Sequence, residues 1–298
     1  MRAIVTGGAG FIGSHLVDAL LERGDDVLVI DNLARGHKER VRPPAELVER
    51  DIRDPLTDLF DRFRPELCFH LAAQADVRVS IARPDEDAAT NVIGTIHVLQ
   101  AAQEHGTKVV FSSTGGAIYG ECPRPAREDD PLEPLSPYGT AKLAAESYIA
   151  TWNRLHGSSH SVLRYANVYG PRQESELEGG VVAIFFERFR QGEPATIYGD
   201  GKQTRDFVHV SDIVSATLAT AGTEGLFNVA SGEETSILEL HDLCRLASGT
   251  EGDAAFAAER LGEIRRSVLD PTHGREGLGW TQRITLEEGL RTTWDWED

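Results

Sequence analysis

The chain contains few cysteines, few lysines and no long apolar run. Its 298 residues include three cysteines, Cys68, Cys122 and Cys244, which lie far apart without metal-ligand spacing. Neither a disulfide framework nor a metal site is therefore predicted. A membrane-spanning helix needs about 18 consecutive apolar residues, and no run in the chain approaches this length, so no membrane association is expected. The start, MRAIVTGGAG, lacks the apolar core of a signal peptide and predicts a strand, which favours a cytoplasmic location.

The charge of the chain is strongly negative, and its basic residues are almost all arginine. The formal net charge of −18 argues against nucleic acid as the main partner, because the phosphate backbone attracts clustered lysine and arginine. Only 4 of the 30 basic residues are lysine. A salt-rich cytoplasm, where salt screens self-repulsion, is one explanation of an acidic, lysine-poor surface. A GC-rich genome, which favours arginine codons, is the other, and the composition favours neither.

The first half of the chain alternates predicted strands and helices. Alternation of this kind is typical of a parallel sheet with helices on both faces and right-handed crossovers. We therefore predict an α/β fold, a Rossmann-type doubly wound parallel sheet with a smaller C-terminal lobe. The predicted strands cover 2–6, 26–31, 46–50, 66–73, 107–113 and 161–170, and the predicted helices cover 11–24, 85–104 and 138–155.

The pattern changes after Gly170. A polar, turn-rich stretch there precedes a helix in VVAIFFERFRQG and isolated strands at ATIYG and LFNVA. We therefore predict one domain over residues 1–166 and a smaller lobe over 167–298, with some strands and helices of the lobe segment returning to the first domain.

A glycine-rich segment, TGGAGFIG, lies between the first predicted strand and the first predicted helix. Gly7, Gly10 and Gly13 permit a tight turn and a close approach of the backbone to a pyrophosphate at a helix N-terminus. Asp31 ends the next strand, where a carboxylate accepts hydrogen bonds from a ribose diol and repels a 2′-phosphate. This context predicts a dinucleotide site and favours NAD over NADP, although the nearby Arg35 leaves NADP open.

A candidate reaction site follows the fifth predicted strand. Tyr138 and Lys142 lie four residues apart on a predicted helix and therefore share one face. A lysine ammonium and a positive nicotinamide ring favour the phenolate and lower the tyrosine pKa from its ordinary value of about 10. Such a pair can take a proton from a sugar hydroxyl while hydride leaves the same carbon. Thr114 is placed to meet Tyr138 and the substrate, and Gly115 and Gly116 let the loop turn beneath the cofactor.

Seven segments in a fixed order carry a family resemblance that covers nearly the whole chain. They are TGGAGFIGSH, HLAAQADVRVS, FSSTGGAIYG, YGTAK, LRYANVYGPRQ, GDGKQTRDFVHVSDI and LEEGL. The chain resembles the extended short-chain dehydrogenase/reductase family and, within it, the UDP-glucose (UDP-galactose) 4-epimerases of galactose metabolism. The resemblance implies an NAD-binding first domain, a lobe that binds a UDP-sugar, and a C2 homodimer in which helices 85–104 and 138–155 form the interface.

The resemblance also implies a reaction without net redox change. Tyr138 would take the proton of the sugar C4 hydroxyl while hydride passes to tightly bound NAD. The resulting 4-keto sugar would rotate about its diphosphate and take the hydride back on its other face. UDP-glucose and UDP-galactose are the expected substrates, and N-acetylated UDP-hexoses are a further possibility.

The resemblance assigns individual residues to these roles. Ser267 stands where some relatives carry a tyrosine that closes the pocket around the C2 substituent, so tolerance of an N-acetyl group is expected. Glu263 stands where the family has aspartate. The implied catalytic residues are Thr114, Tyr138 and Lys142; the implied NAD-binding residues are Gly7, Gly10, Phe11, Ile12, Gly13, Asp31, Asn32, Asp51, Ile52, Leu71, Ala72, Ala73, Asn91, Tyr138, Lys142 and Tyr165; the implied substrate-binding residues are Asn167, Arg205, Arg260, Glu263 and Ser267.

Other activities on the same fold are alternatives. A nucleotide-sugar 4,6-dehydratase follows its threonine with an Asp-Glu pair, whereas Gly115 and Gly116 stand here and cannot transfer protons. The missing glutamate also disfavours a decarboxylating relative. A uronic-acid 4-epimerase places an arginine shortly after GPRQ, whereas Glu174 would repel a carboxylate. A non-catalytic NAD-sensing protein has no need of the three catalytic residues together.

Overall fold

The computed structural model describes residues 1–175, 180–259 and 264–296. The chain divides into two compact units, each made of several segments. Unit 1 comprises Met1–Thr114, Ser136–Arg164 and Val214–Phe227, and unit 2 comprises Gly115–Leu135, Tyr165–Ile213 and Asn228–Asp298. The chain therefore passes repeatedly between the units instead of completing one before the other.

The described strands are short and are numbered in chain order. They are β1 (Arg2–Thr6), β2 (Asp26–Asp31), β3 (Glu46–Glu49), β4 (Leu67–His70), β5 (Lys108–Thr114), β6 (Ser161–Tyr165), β7 (Asn167–Tyr169), β8 (Thr196–Tyr198), β9 (Thr204–Arg205), β10 (Phe207–His209), β11 (Gly225–Val229), β12 (Thr235–Ser236), β13 (Ala255–Ala257) and β14 (Arg266–Ser267).

The described helices include long amphipathic ones and several single turns. Over the parts of the chain that the structure describes, none is long and apolar enough to cross a membrane. They are α1 (Phe11–Glu22), α2 (Thr57–Phe63), α3 (Val77–Ala82), α4 (Pro84–Ala88), α5 (Gly94–Glu104), α6 (Pro137–His156), α7 (Val181–Arg190), α8 (Val210–Ala219), α9 (Ile237–Ser248), α10 (Thr272–Leu278) and α11 (Leu286–Asp295).

Seven strands form one parallel sheet in the order β11-β6-β5-β4-β1-β2-β3. The predicted α/β class with a doubly wound parallel sheet is confirmed. Strand β1 pairs in parallel with β2 on one side and β4 on the other, so the strand order reverses beside it. In such sheets ligands bind beyond the carboxyl ends of the strands at this switch point. Ala3, Ile4 and Val5 of β1 are fully buried, as expected for a strand that is covered on both faces.

The predicted helix over 85–104 is irregular in its middle. It consists of α4, a π-helical segment at Ala89–Ile93, and α5. Such segments are frequent at functional sites. Here the segment carries the buried side chain of Asn91.

Unit 2 has its own core and three small sheets, which pair β7 with β10, β9 with β12 and β14, and β8 with β13. Phe185, Phe186 and Phe189 of α7 pack in a core with Leu240 and Cys244 of α9. The helix predicted in VVAIFFERFRQG is α7. The strand at LFNVA was expected to be isolated. It is β11, which joins the edge of the seven-stranded sheet.

Candidate functional site

The turn between β1 and α1 is shaped for a pyrophosphate. Gly7 has φ +71°, and a Cβ at this position would lie 2.7 Å from the backbone nitrogen of Ala72. A Cβ at Gly13 would overlap the carbonyl oxygen of Gly7. Helix α1 begins after Gly10, which supplies no side-chain cap. The first amides of the helix can therefore meet phosphate oxygens, and the turn fits the diphosphate of NAD.

The carboxylate of Asp31 is fixed beside this turn at the end of β2. Its Oδ2 accepts a hydrogen bond from the backbone nitrogen of Ala9 (3.0 Å), and its Oδ1 accepts one from the backbone nitrogen of Leu33 (2.9 Å). Both bonds hold the acid next to the glycine turn, where the ribose of a dinucleotide binds in this fold. The structure therefore brings together the residues expected at the phosphate and ribose end of NAD.

The two residues expected at the adenine have different surroundings. Asp51 accepts hydrogen bonds from Arg53 and from the side chain of Asn32 (2.9 Å), and Arg53 is the main group that lowers the pKa of Asp51 to about 2. Ile52, in contrast, is buried and packs in the core of unit 1. Its side chain therefore belongs to the core, and a ligand contact here would come from Asp51 or from the backbone.

The segment after β4 is held by a buried polar chain. The Thr6 hydroxyl accepts a hydrogen bond from the backbone nitrogen of Ala72 (3.2 Å) and lies 2.7 Å from His70 Nδ1. On the other side of the ring, His70 Nε2 lies 3.0 Å from the hydroxyl of Thr95. Burial lowers the pKa of His70 to about 3, so the ring is neutral. This network positions Leu71–Ala73 at the switch point of the sheet.

Asn91 connects this segment to α4. Its side chain accepts a hydrogen bond from the Gln74 backbone nitrogen (3.0 Å) and donates to the Gln74 carbonyl (2.9 Å) and to Asp87 Oδ1 (3.0 Å). The Gln74 side chain donates to the same Asp87 oxygen (2.8 Å). These bonds use both polar atoms of the Asn91 side chain, which therefore shapes the loop after β4. Asp87 and Gln74 were not predicted from the sequence.

Thr114, Tyr138 and Lys142 lie together in unit 1. Tyr138 is in the first turn of α6, which Ser136 caps by accepting a hydrogen bond from a backbone nitrogen of that turn. A side-chain hydrogen bond joins Thr114, at the end of β5, to Tyr138. Lys142 follows one turn later and is only 3% exposed. Its Nζ lies 4.1 Å from the centroid of the Phe111 ring.

In the protein alone, burial dominates the protonation of this pair. Burial raises the pKa of Tyr138 to about 12, and the negative charge of Asp87 acts in the same direction, whereas the hydrogen bond with Thr114 opposes them. Burial also lowers the pKa of Lys142 to about 7, against the effects of Glu146 and Asp87. Burial is thus the largest effect on the tyrosine pKa in the protein alone, and the expected lowering depends on the charge of the nicotinamide ring. Tyr138 therefore needs a further positive charge beside it to act as a base.

A buried ion pair lies one turn beyond Lys142. Arg164 Nη2 donates to Glu146 Oε2 (2.7 Å), and Arg164 Nε lies 3.1 Å from the other carboxylate oxygen. The Ser113 hydroxyl also donates to Glu146. Both partners are buried, so removing either one would leave an unpaired buried charge and destabilise the fold. Sequence reasoning missed Glu146, although its spacing of four residues from Lys142 continues the Tyr138–Lys142 spacing.

The structure brings two of the expected substrate residues together in unit 2. Arg205 on β9 and Ser267 on β14 are partners in a parallel strand pair. Asn167 lies on β7, opposite Phe207 of β10. Arg205 and Ser267 therefore stand side by side on adjacent strands, and Asn167 belongs to a different small sheet.

Tyr165 and Gly115, also predicted to lie near the reacting groups, are joined by a backbone hydrogen bond. Tyr165 is buried at the end of β6, and its carbonyl oxygen accepts a hydrogen bond from the Gly115 backbone nitrogen (2.8 Å). A Cβ at Gly115 would overlap the side chain of Leu269, so a larger residue there would have to displace this buried leucine. Arg260 and Glu263 lie outside the described residues.

The glycine turn, Asp31 and the Tyr138–Lys142 pair also occur in a known protein family. The model of the NAD dependent epimerase/dehydratase family matches residues 3–230. This chain belongs to that family. Within the epimerase/dehydratase family, a UDP-glucose 4-epimerase from Mycolicibacterium smegmatis is 45% identical to it, over 98% of this chain and 97% of the relative.

Two solved structures of UDP-glucose 4-epimerases are similar to this member of the epimerase/dehydratase family. The enzyme from Thermotoga maritima, solved with UDP-glucose, has a TM-score of 0.97 and 45% identity, covering 99% of this chain and 98% of that chain. The enzyme from Thermus thermophilus, solved in complex with NAD, has a TM-score of 0.95 and 42% identity, covering 99% and 98%.

Proposed function

We propose that this protein is a cytoplasmic, NAD-dependent UDP-glucose 4-epimerase. The observation that carries the proposal is the set of Thr114, Tyr138 and the buried Lys142, which lies in the same unit as the dinucleotide turn. The identities of 42% and 45% to UDP-glucose 4-epimerases over nearly the whole chain support it. In this proposal unit 1 binds NAD and unit 2 supplies the residues that hold the UDP-sugar.

The side chains of unit 1 divide the chemistry between them. When bound, NAD supplies oxidation and reduction at the sugar C4 and a positive charge beside Tyr138. Tyr138 takes the proton of the C4 hydroxyl and later returns a proton to the C4 oxygen, after the keto sugar has turned its opposite face to the site. Thr114 hydrogen-bonds Tyr138 and favours its ionised form. Lys142, whose pKa is about 7, is partly charged near neutrality and adds to the positive potential.

The loop after β5 disfavours the alternative reactions. A dehydratase or a decarboxylase needs an acid or base beside the sugar, and Gly115 and Gly116 have no side chain to provide it. Gly115 cannot be replaced without a clash with Leu269. Among the described residues assigned to the reaction, Tyr138 acts as the base, which suits an oxidation and reduction at a single carbon.

The proposed activity is tested by mixing the purified protein with UDP-galactose and no reductant. We expect UDP-glucose to form up to an equilibrium mixture, without net formation of NADH, as followed by chromatography. A parallel reaction with UDP-glucuronic acid tests the decarboxylating and uronic-acid alternatives. Conversion of UDP-glucuronic acid with no conversion of UDP-galactose would overturn the proposal.

Substrate breadth is expected to depend on Ser267. A serine leaves more room than a tyrosine at this position, beside Arg205 in the strand pair. We therefore expect the wild type to convert UDP-N-acetylglucosamine as well as UDP-glucose. Ser267→Tyr should lower kcat/KM for the N-acetyl sugar by at least about 10-fold, because a single methylene already changes selectivity by about 10–200-fold, and it should change UDP-glucose little. Specificity constants for both sugars provide the measurement.

The control for this variant is Ser159→Tyr, which adds the same ring at an exposed serine of unit 1. It should leave both specificity constants unchanged. The role of Ser267 is wrong if the wild type ignores the N-acetyl sugar, or if Ser267→Tyr handles both sugars like the wild type.

We infer a homodimer from the exposed apolar side chains around α6. Ile93 on the π-helical segment and Tyr148 and Leu155 on α6 are large and exposed, and such groups are typical of interaction surfaces when they cluster. Light scattering at micromolar concentration should give twice the chain mass. Ile93→Asp combined with Leu155→Asp should give a monomer, whereas Leu246→Asp, at an exposed leucine of α9, should stay dimeric. A monomer mass for the wild type contradicts the inference.

A further inference from the structure

Asp87 carries a buried carboxylate that the proposed reaction has not used. The residue is 1% exposed on α4, a helix that packs against α6. Its Oδ1 accepts the hydrogen bonds of Gln74 (2.8 Å) and Asn91 (3.0 Å). Its Oδ2 is buried and receives no hydrogen bond from the described residues. A buried carboxylate oxygen in this state is costly unless a nearby positive charge compensates it.

The positive charge that acts on Asp87 is that of Lys142. Burial raises the pKa of the Asp87 carboxyl, and the hydrogen bonds from Gln74 and Asn91 and the attraction of Lys142 oppose this effect. The charge of Asp87 acts on Lys142 in return and also reaches Tyr138. Asp87 is therefore coupled electrostatically to both members of the catalytic pair.

Several groups face Lys142 from the elements around it. Glu146 lies on its own helix but is tied to Arg164 of β6, whose positive charge offsets it. His70 of β4 is neutral, because burial lowers its pKa to about 3. The ring of Phe111 on β5 is uncharged and contacts the ammonium. Compared with Glu146, Asp87 has no arginine among the groups that bond it, so its charge is less offset.

We propose that Asp87 is a positioning residue of the catalytic pair: clamped by Gln74 and Asn91, its carboxylate holds the buried Lys142 in its charged form. The proposal deepens the epimerase function and rests on it for the role of Lys142. Asp87 touches neither substrate nor the reacting carbon in this account, and it acts through Lys142 and Tyr138.

Removing the negative charge of Asp87 should shift the pKa of Lys142 and the pKa of Tyr138 in the same direction. A nearby carboxylate raises the pKa of an ammonium and of a phenol alike, so its loss lowers both pKa values. Asp87→Asn keeps an oxygen that can accept from Gln74 and Asn91 and removes only the charge. The alkaline limb of the pH–rate profile, which requires charged Lys142, and the acid limb, which requires ionised Tyr138, should both move to lower pH.

The first test follows Lys142 directly, without substrate. The chain has only 4 lysines, so a sample labelled with ¹³C at lysine Cε gives few NMR signals, and Lys142→Arg identifies the one of interest. In Asp87→Asn the Lys142 signal should titrate about one pH unit lower than in the wild type, the size expected for one nearby charge. Asp85→Asn removes the same charge from an exposed position on the same helix and should leave the titration unchanged.

The second test is the pH profile of kcat with UDP-galactose. Both limbs should move down by about one unit in Asp87→Asn, and Asp87→Glu, which restores the charge, should return them toward the wild-type position. An unmoved Lys142 titration overturns the proposal, and so does a rate that falls equally at every pH, because a merely structural role predicts that result. A shifted titration in a protein without epimerase activity would support the electrostatic role and overturn the proposed function.

Discussion

Replacing Tyr138 by phenylalanine should lower kcat by about 10²–10⁴-fold, the range for losing a positioned acid–base group. The change removes one oxygen atom and with it the hydrogen bond with Thr114. Because the ring is retained, the packing at the start of α6 should persist. NAD affinity and the unfolding midpoint should therefore stay close to the wild-type values, while kcat for UDP-galactose falls.

The matched control is Tyr148→Phe, which makes the same change on the same helix at a side chain that is 41% exposed. It should leave kcat unchanged. Near-normal turnover in Tyr138→Phe would remove Tyr138 from the role of base, whatever the control shows. Equal losses in both variants would point to damage of α6 instead of lost chemistry.

Gly13→Ala should abolish most NAD binding and destabilise unit 1. A Cβ at this position would overlap the carbonyl oxygen of Gly7, and this neighbour is backbone that cannot rotate away. The glycine turn and the start of α1 must therefore move apart. Overpacking of this kind costs about 1–3 kcal/mol of unfolding free energy. Displacement of the α1 amides by even a fraction of an ångström should weaken NAD binding by at least about tenfold, or about 1.4 kcal/mol.

Calorimetric titration with NAD and chemical denaturation measure these two effects. Gly222→Ala is the control, since a Cβ there meets nothing within 4 Å, and it should match the wild type in both measurements. If Gly13→Ala binds NAD like the wild type, the pyrophosphate does not lie on this turn.

The parts of the site that the sequence predicts are those whose geometry is local. The turn from Gly7 to Gly13 joins a strand directly to a helix, so its shape depends on neighbouring residues. The spacing of Tyr138 and Lys142 follows from one helical turn. The parallel sheet was also predictable, because alternating strands and helices leave few topologies.

The parts that the sequence did not predict depend on packing between distant segments. The clamp on Asp87 joins α4 to the loop after β4 and needs the π-helical segment to aim Asn91. That segment has no signal in the helical periodicity of 85–104. The edge position of β11 likewise depends on pairing with a strand formed much earlier in the chain.

The protonation of the catalytic pair shows the same limit. Sequence spacing indicates that Lys142 is near Tyr138, but it does not indicate that Lys142 is buried and Tyr138 half-buried. Burial is the largest cause of the raised pKa of Tyr138 and of the lowered pKa of Lys142. The directions in which these two pKa values shift in the protein could therefore be obtained only from the structure.

The central claim, a transient oxidation at C4 that is reversed within the same site, is tested most directly with UDP-galactose carrying deuterium at C4. The account predicts UDP-glucose that retains the deuterium at C4, because the hydrogen removed from this carbon returns to it without exchange with water. Mass spectrometry and NMR of the product locate the label. UDP-glucose with ordinary hydrogen at C4, or no UDP-glucose at all, would contradict the account.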